Sequence, residues 1–462
     1  MRMPSPATAS ATDILVAHII SQRYDALPLQ AREAARNFIL DSCGVALAGS
    51  RVPLVDDLKT VAKRWGQGSD CRIWGGGERV PAATAAFING YQIHNQEWDC
   101  LHEPAVVHPM AVVLATLVAW AEARGGVSGR ELMLGCSVAV DVAATIGSAA
   151  RNALRFFRPA MCGALGATAG IAAMLRLDAA TTRSALGLAY SQLCGTMQAH
   201  VEGSPVLPMQ ISFNARAALL AIDLAQRGID GPGQFLEGPY GYFALIDPEW
   251  DPAPFAELGR VSRIAELSHK PFPSGRATHG GVDGALSLRA AHGFAIDDIE
   301  AIRVFAPPLV IQLVDRPSQP AMAASYARLC LPYVTATALL RGTVSVEDFD
   351  PEALRDPARH ALAARIHPRR DANPSLNALA PQRVEVDLRS GARLAMDLPA
   401  VLGAPGRPLD RARQLAKLRT AAAAARRPLP PARIEALIAQ IDQLEQLPDV
   451  RQLVELLVPA ET

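Results

Sequence analysis

From about residue 14 to residue 263 the apolar positions recur every three or four residues, and glycines or prolines punctuate the run at intervals of roughly 20 to 30 residues. This period predicts helices throughout, and so long a stretch hides its apolar stripes by packing helix on helix. Residues 164–175 and 215–226 are mostly Ala, Gly and Leu, which permits close backbone approach and burial on most sides. Breaks are predicted at Gly125-Gly126, at Arg176-Leu177-Asp178 and across Gly228-Ile229-Asp230-Gly231-Pro232-Gly233.

Beyond about Glu266 the pattern changes. Ile299-Glu300-Ala301-Ile302-Arg303-Val304-Phe305 and Arg383-Val384-Glu385-Val386-Asp387-Leu388 alternate apolar with polar, as half-buried strands do. The second is expected to pair with Ala392-Arg393-Leu394-Ala395-Met396 across a turn at Ser390-Gly391, while residues 334–340 and 351–365 read as helices. From Leu409 the chain is again rich in Ala, Leu and Arg, and the 421–427 tract reads as an Ala-rich helix with a basic end. A chain of 462 residues, half of them hydrophobic, buries a large core and divides into two domains. The expected fold class is mainly α with a smaller α+β domain. A helical domain spans 1–265, completed by C-terminal helices at 406–462, and the α+β domain spans 266–405.

Charge and cysteine usage narrow the partners. Forty-five basic and 45 acidic side chains cancel, so nothing points to nucleic acid or an anionic membrane, and a small molecule is the better partner. The seven cysteines are scattered and never form a C-x-x-C pair, which predicts reduced thiols in a cytoplasmic setting. Residues 1–12 are rich in Ser, Ala and Pro and lack the basic segment and apolar core of a signal peptide. Arg, Asp, Gly or Glu interrupts each apolar run before the ~18 residues of a spanning helix.

The chemistry concentrates in Glu97-Trp98-Asp99-Cys100-Leu101-His102-Glu103-Pro104-Ala105-Val106-Val107-His108-Pro109, just ahead of an apolar helix over residues 110–123. Pro109 suits the first helical turn, where a missing N–H costs nothing, and His108 then falls at the cap. The unpaired N–H groups and partial positive charge of a helix start attract a carboxylate and keep a neighbouring imidazole neutral, able to accept a proton. A packing role for the same histidine stays open at this level. His102 and His108 with Glu97, Asp99 or Glu103 could ligate a divalent ion, but a six-residue His spacing fits no familiar zinc pattern, so no metal is expected. Cys100 reads as a helix-packed, inert thiol. Gly75-Gly76-Gly77 is too short for a phosphate-binding loop.

Several separated motifs occur in one order: Asn89-Gly90-Tyr91-Gln92-Ile93-His94, the cluster ending in His108-Pro109, Gly163-Ala164-Leu165-Gly166-Ala167, Leu236-Glu237-Gly238-Pro239-Tyr240-Gly241-Tyr242-Phe243, Lys270-Pro271-Phe272-Pro273 with Thr278-His279, and Leu331-Pro332-Tyr333. Together they resemble the MmgE/PrpD family over nearly the whole chain. The resemblance implies a helical domain carrying an α+β lid, a homodimer with its site between the domains, and action on small di- and tricarboxylates with no required metal or organic cofactor. That family includes 2-methylcitrate dehydratase, cis-aconitate decarboxylase and iminodisuccinate epimerase. His108, Lys270 and His279 match family site positions, and Asp99 and His102 stand where many members read Asp-Asp-Thr-His. The chain also departs from the pattern. Glu97 replaces an aspartate and Leu101 a threonine, Phe156-Phe157-Arg158-Pro159 lacks a histidine, and residues 205–213, around Gln210, lack a lysine and a histidine.

Dehydration, epimerisation and decarboxylation beside a carboxylate share one need: cations or N–H dipoles hold carboxylates while an acid or base handles a proton on the adjacent carbon. His108, Lys270, His102 and Asp99 are the catalytic candidates. Glu97, Arg276, His279, Gln210 and Arg158 are the substrate-binding ones. The leading expectation is a metal- and cofactor-independent, dehydratase-like lyase on a small di- or tricarboxylate. An epimerase, isomerase or decarboxylase using the same groups, and a non-catalytic homodimeric binding protein, stay open.

Overall fold

A computed structural model describes residues 9–460; the first eight residues of the N-terminal stretch considered above lie outside them. The first half is a pack of helices, among them α1 (Leu29–Gly49), α2 (Ala82–His94), α3 (Pro109–Arg124), α4 (Gly129–Ala149), α5 (Arg158–Leu175) and α6 (Val206–Gln226). The small residues of α5 do what their size allows. A Cβ on Gly166 would strike the Ala139 carbonyl of α4, and one on Gly163 would sit 2.6 Å from the Val112 side chain of α3. α4 is long and apolar enough to cross a bilayer, yet it is buried almost throughout by its neighbours. The expected breaks occur: α3 ends at Gly125 with φ 73°, α5 ends on Arg176 in the left-handed region, and Asp178 caps the next helix through the Thr181 N–H.

Two regions depart from the all-helical reading: residues 227–263 hold only Tyr242–Leu245 as α-helix, beside turns and a 3-10 segment, and a short ribbon stands between α1 and α2. Cys71–Arg72 (β1) and Arg79–Val80 (β2) form a two-residue antiparallel ribbon around Gly75-Gly76-Gly77, too short to leave an alternation in the sequence.

The second half holds a four-stranded sheet of β3 (Ile299–Ala306), β4 (Ile366–Arg370), β5 (Gln382–Leu388) and β6 (Arg393–Leu398), in the order β4-β3-β5-β6. The β5–β6 hairpin has the expected Ser390-Gly391 turn, with Gly391 at φ 86°. The helix expected over 351–365 shrinks to Pro357–Ala363, and strand β4, parallel to β3, follows it where no strand was expected. Its Ile-His-Pro-Arg-Arg sequence is short and carries a proline, which argues against a strand, and pairing with β3 makes it one. Helices α7 (His279–His292) and α8 (Leu331–Arg341) accompany the sheet, α7 lying against β5 and β6.

The chain then returns to the first half. α9 (Arg411–Ala423) lies on α1, with Leu418 over Gly44 and Lys417 paired to Asp41 at 2.6 Å. The helix stops at Ala423 rather than running to Arg427. Lys417 also donates to the Trp98 carbonyl at 2.8 Å, which clamps the loop between α2 and α3.

Candidate active site

α2 ends at His94 and α3 starts at Pro109, with His108 as the cap residue. Between them the chain makes a tight excursion. His102 and Val107 exchange both backbone hydrogen bonds, at 2.9 and 3.3 Å, around a turn in which Val106 adopts φ 53°. A β-branched residue pays heavily in this region, so the turn is held by its surroundings; Glu97, at φ 51°, is the second such residue in the loop. Leu101 and Ser268 likewise exchange backbone bonds at 3.1 and 2.8 Å, which ties the loop to the segment carrying Lys270.

Asp99 is fully buried at the centre. His94 Nδ1 lies 3.0 Å from both of its oxygens, and His108 Nδ1 lies 3.3 Å from Oδ2. The two rings meet edge to face at 4.9 Å. Lys270 Nζ donates to Glu97 Oε2 at 2.9 Å and to the Glu97 carbonyl at 3.1 Å, and stands 3.8 Å from Asp99 Oδ1. With each Nδ1 turned toward Asp99, Nε2 is the nitrogen His108 has left for a ligand.

These contacts push the two imidazoles in opposite directions. Burial alone would lower His94, but Asp99 and Glu97 beside it raise its pKa above the ordinary value. In His108 burial is joined by the Lys270 charge, and the pKa falls despite Asp99. The two shifts favour the protonated form of His94 and the neutral form of His108. Against the cost of burial, Lys270 and the two histidines hold Glu97 down to about 2, and the two histidines and Lys270 hold Asp99 well below the usual carboxylate range.

His94, Glu97 and His108 line a cavity of about 60 Å³. It holds a few waters and is far below the ~300–1,000 Å³ of ordinary ligand pockets. Leu101 and Phe157 form part of its apolar wall, and Phe157 lies 5.8 Å from the His94 ring.

Residues 13–254 match the model of the MmgE/PrpD N-terminal domain, and residues 272–443 that of the MmgE/PrpD C-terminal domain. The chain belongs to the MmgE/PrpD family. Relatives of this MmgE/PrpD chain include the cis-aconitate decarboxylase of Mus musculus, 28% identical over 443 residues that cover 92% of this chain and 88% of the relative. That of Homo sapiens is 28% identical over 445 residues, covering 92% and 90%. That of Aspergillus terreus is 25% identical over 459 residues, covering 94% and 93%.

Of the residues singled out in the sequence of this MmgE/PrpD chain, His108, Glu97 and Arg276 reach the cavity wall, with Asp99 and Lys270 directly behind. Arg276 arrives already paired: Glu103 holds it at 2.8 Å and it donates to the carbonyls of Leu402 and Val401 at 2.7 and 3.0 Å. Four others do not come to the cavity. His102 accepts the Ala105 N–H on Nδ1 and faces Glu266 with Nε2 at 3.0 Å. His279 turns its Nε2 to Ser274, Gln210 Oε1 accepts the Thr196 N–H at 2.6 Å, and Arg158 is locked to Asp247 and Asn377. Cys100 sits beside the cluster with its thiol pushed well up by burial, which fits an inert packing residue.

His94 is the residue that sequence reasoning passed over. Its only signal was its place at the end of the Asn89–His94 motif, five residues before Asp99 across a helix end. It also redraws the metal question. Among the described residues His94, Asp99 and His108 each offer a ligand atom within 4.8 Å of the others, whereas His102 takes no part. Lys270 Nζ stands 3.8 Å from Asp99 Oδ1, so an ion there would share that carboxylate with an ammonium.

Because Lys270 is fully buried between two carboxylates, Lys270→Met removes the ammonium from both and leaves them only the histidines. The variant is expected to lose about 3–5 kcal/mol of stability, measured by denaturant unfolding. It also removes the charge that helps hold His108 down, so the acid limb of the kcat/KM profile is expected to move to higher pH.

Proposed function

We propose that this chain is a lyase acting on a small polycarboxylate in a dehydratase-like manner. His108 takes a proton from the carbon beside a carboxylate through Nε2. The C–O bond of the neighbouring hydroxyl then breaks, His94 protonates the departing oxygen, and a C=C bond and water result. The observation that carries this is one buried carboxylate gripping two imidazoles whose pKa values are driven apart, since an elimination needs one base and one acid at the same moment. The relatives named cis-aconitate decarboxylase support lyase chemistry on a polycarboxylate. They also favour a second reading, in which a C–C bond breaks, CO₂ leaves and His94 protonates the carbon. Leu101 and Phe157 in the cavity wall favour a third, a homodimeric binding protein without turnover. The unpaired cysteines fit a reducing, cytoplasmic setting.

The test is NMR in D₂O with citrate, methylcitrate, cis-aconitate, tartrate and iminodisuccinate. New olefinic signals from a hydroxy acid support dehydration, CO₂ release from cis-aconitate supports the second reading, and deuterium exchange without net conversion marks an epimerase. An unchanged panel sinks the lyase reading. Turnover is expected to survive EDTA; loss restored by a divalent ion would make His94, Asp99 and His108 its ligands.

A further inference from the structure

Among the described residues five arginines are buried, and four of them have a carboxylate partner: Arg158 with Asp247, Arg263 with Glu257 and Glu266, Arg276 with Glu103, and Arg359 with Asp348. Arg328 has none. It is 6% exposed, its only hydrogen bond among the described residues goes to Gln96 Oε1, and its Nε is buried without a partner. Its guanidinium carbon stands 4.6 Å over the Phe349 ring, a contact that holds the plane but does not neutralise the charge. The carboxylates whose charge it feels are engaged elsewhere, Glu97 with Lys270 at 2.9 Å and Asp350 with Arg51 at 2.9 Å. Burial brings its pKa down to about 10, so it remains cationic at neutral pH.

This charge faces a cleft of about 950 Å³ between the helical pack and the segment leading into α8, lined by Tyr91, Asn95, Gln96, Met322, Arg328 and Phe349 among others. Asn95 and Gln96 immediately precede Glu97, so the cleft adjoins the turn that carries the catalytic cluster. It has the volume of a ligand pocket, which the cavity at His108 does not. A guanidinium buried without a counter-ion destabilises the empty protein, and its planar fork matches a carboxylate.

We propose that Arg328 is the anion-binding residue of this cleft, receiving a carboxylate of the substrate remote from the reacting carbon and so selecting di- and tricarboxylates over monocarboxylates. The inference rests on the polycarboxylate reading for the identity of the ligand, but its test needs no turnover. Tricarballylate, which has neither a hydroxyl to eliminate nor a double bond, is titrated calorimetrically into wild type, Arg328→Met, Arg328→Lys and His108→Ala, with glutarate and butyrate as the shorter probes. Tricarballylate and glutarate are expected to bind wild type and His108→Ala alike, about 30-fold or more weaker to Arg328→Met, and in between to Arg328→Lys. Butyrate is expected not to distinguish wild type from Arg328→Met. Without ligand, Arg328→Met is expected to melt at the same temperature as wild type or higher, because it removes an uncompensated buried charge. A variant that melts several degrees lower, or one that binds tricarballylate within threefold of wild type, overturns the proposal, as does a wild type that binds neither tricarballylate nor glutarate. If tricarballylate binding depends on Arg328 while no substrate in the NMR panel turns over, the subsite stands and the lyase reading falls.

Discussion

His108→Ala is expected to lower kcat by about 10²- to 10⁴-fold, the loss that follows removal of a positioned proton carrier. The protein should still fold, because His108 makes no side-chain capping bond and Pro109 sets the start of α3 regardless. Steady-state kinetics on the substrate found in the NMR panel, beside a thermal melt of the variant, separate the two effects. Activity within a fewfold of wild type in a folded variant would remove His108 from the chemistry.

Asp99→Asn is expected to have an effect of similar size by a different route. In the proposed elimination the active form has His108 neutral and His94 protonated, so kcat/KM should rise through an acid limb below the usual histidine value of about 6.5 and fall through a basic limb above it. Asp99 heads the contacts that raise His94 against burial. Without that charge, burial prevails and the His94 pKa drops, which carries the basic limb to lower pH and empties the doubly correct protonation state at neutral pH. A fall of about 10²- to 10⁴-fold in kcat at pH 7 should accompany the shift, and the imidazole signals followed by NMR should show His94 titrating lower than in wild type. An unmoved His94 titration would mean that Asp99 does not set the acid of the pair.

The same pair marks how far the site was legible beforehand. His108 and Asp99 could be singled out because a proline at a helix start and a carboxylate-rich loop are local signals. His102 carried those signals equally well, and nothing in the sequence told that its ring turns to Glu266, 164 residues away, while the ring of His94 turns to Asp99. Lys270 was expected as a cation of the site, and its partners, Glu97 and Asp99, lie across the fold and occupy the ammonium that a substrate was expected to meet.

Helix periods, the glycines that let α5 approach α3 and α4, the β5–β6 hairpin and the start of α3 were written in the sequence because each rests on the backbone's reach over a few residues: side-chain period, steric size, turn conformation and a missing N–H. What the tertiary structure alone decided is which charges meet. Strand β4 exists because β3 lies beside it, Arg158 and Arg276 are neutralised by carboxylates distant in sequence, and Arg328 is left without one. Desolvation and Coulomb interactions act through space at a few ångströms, so the protonation of His94 and His108 is set by residues that only folding brings within that range.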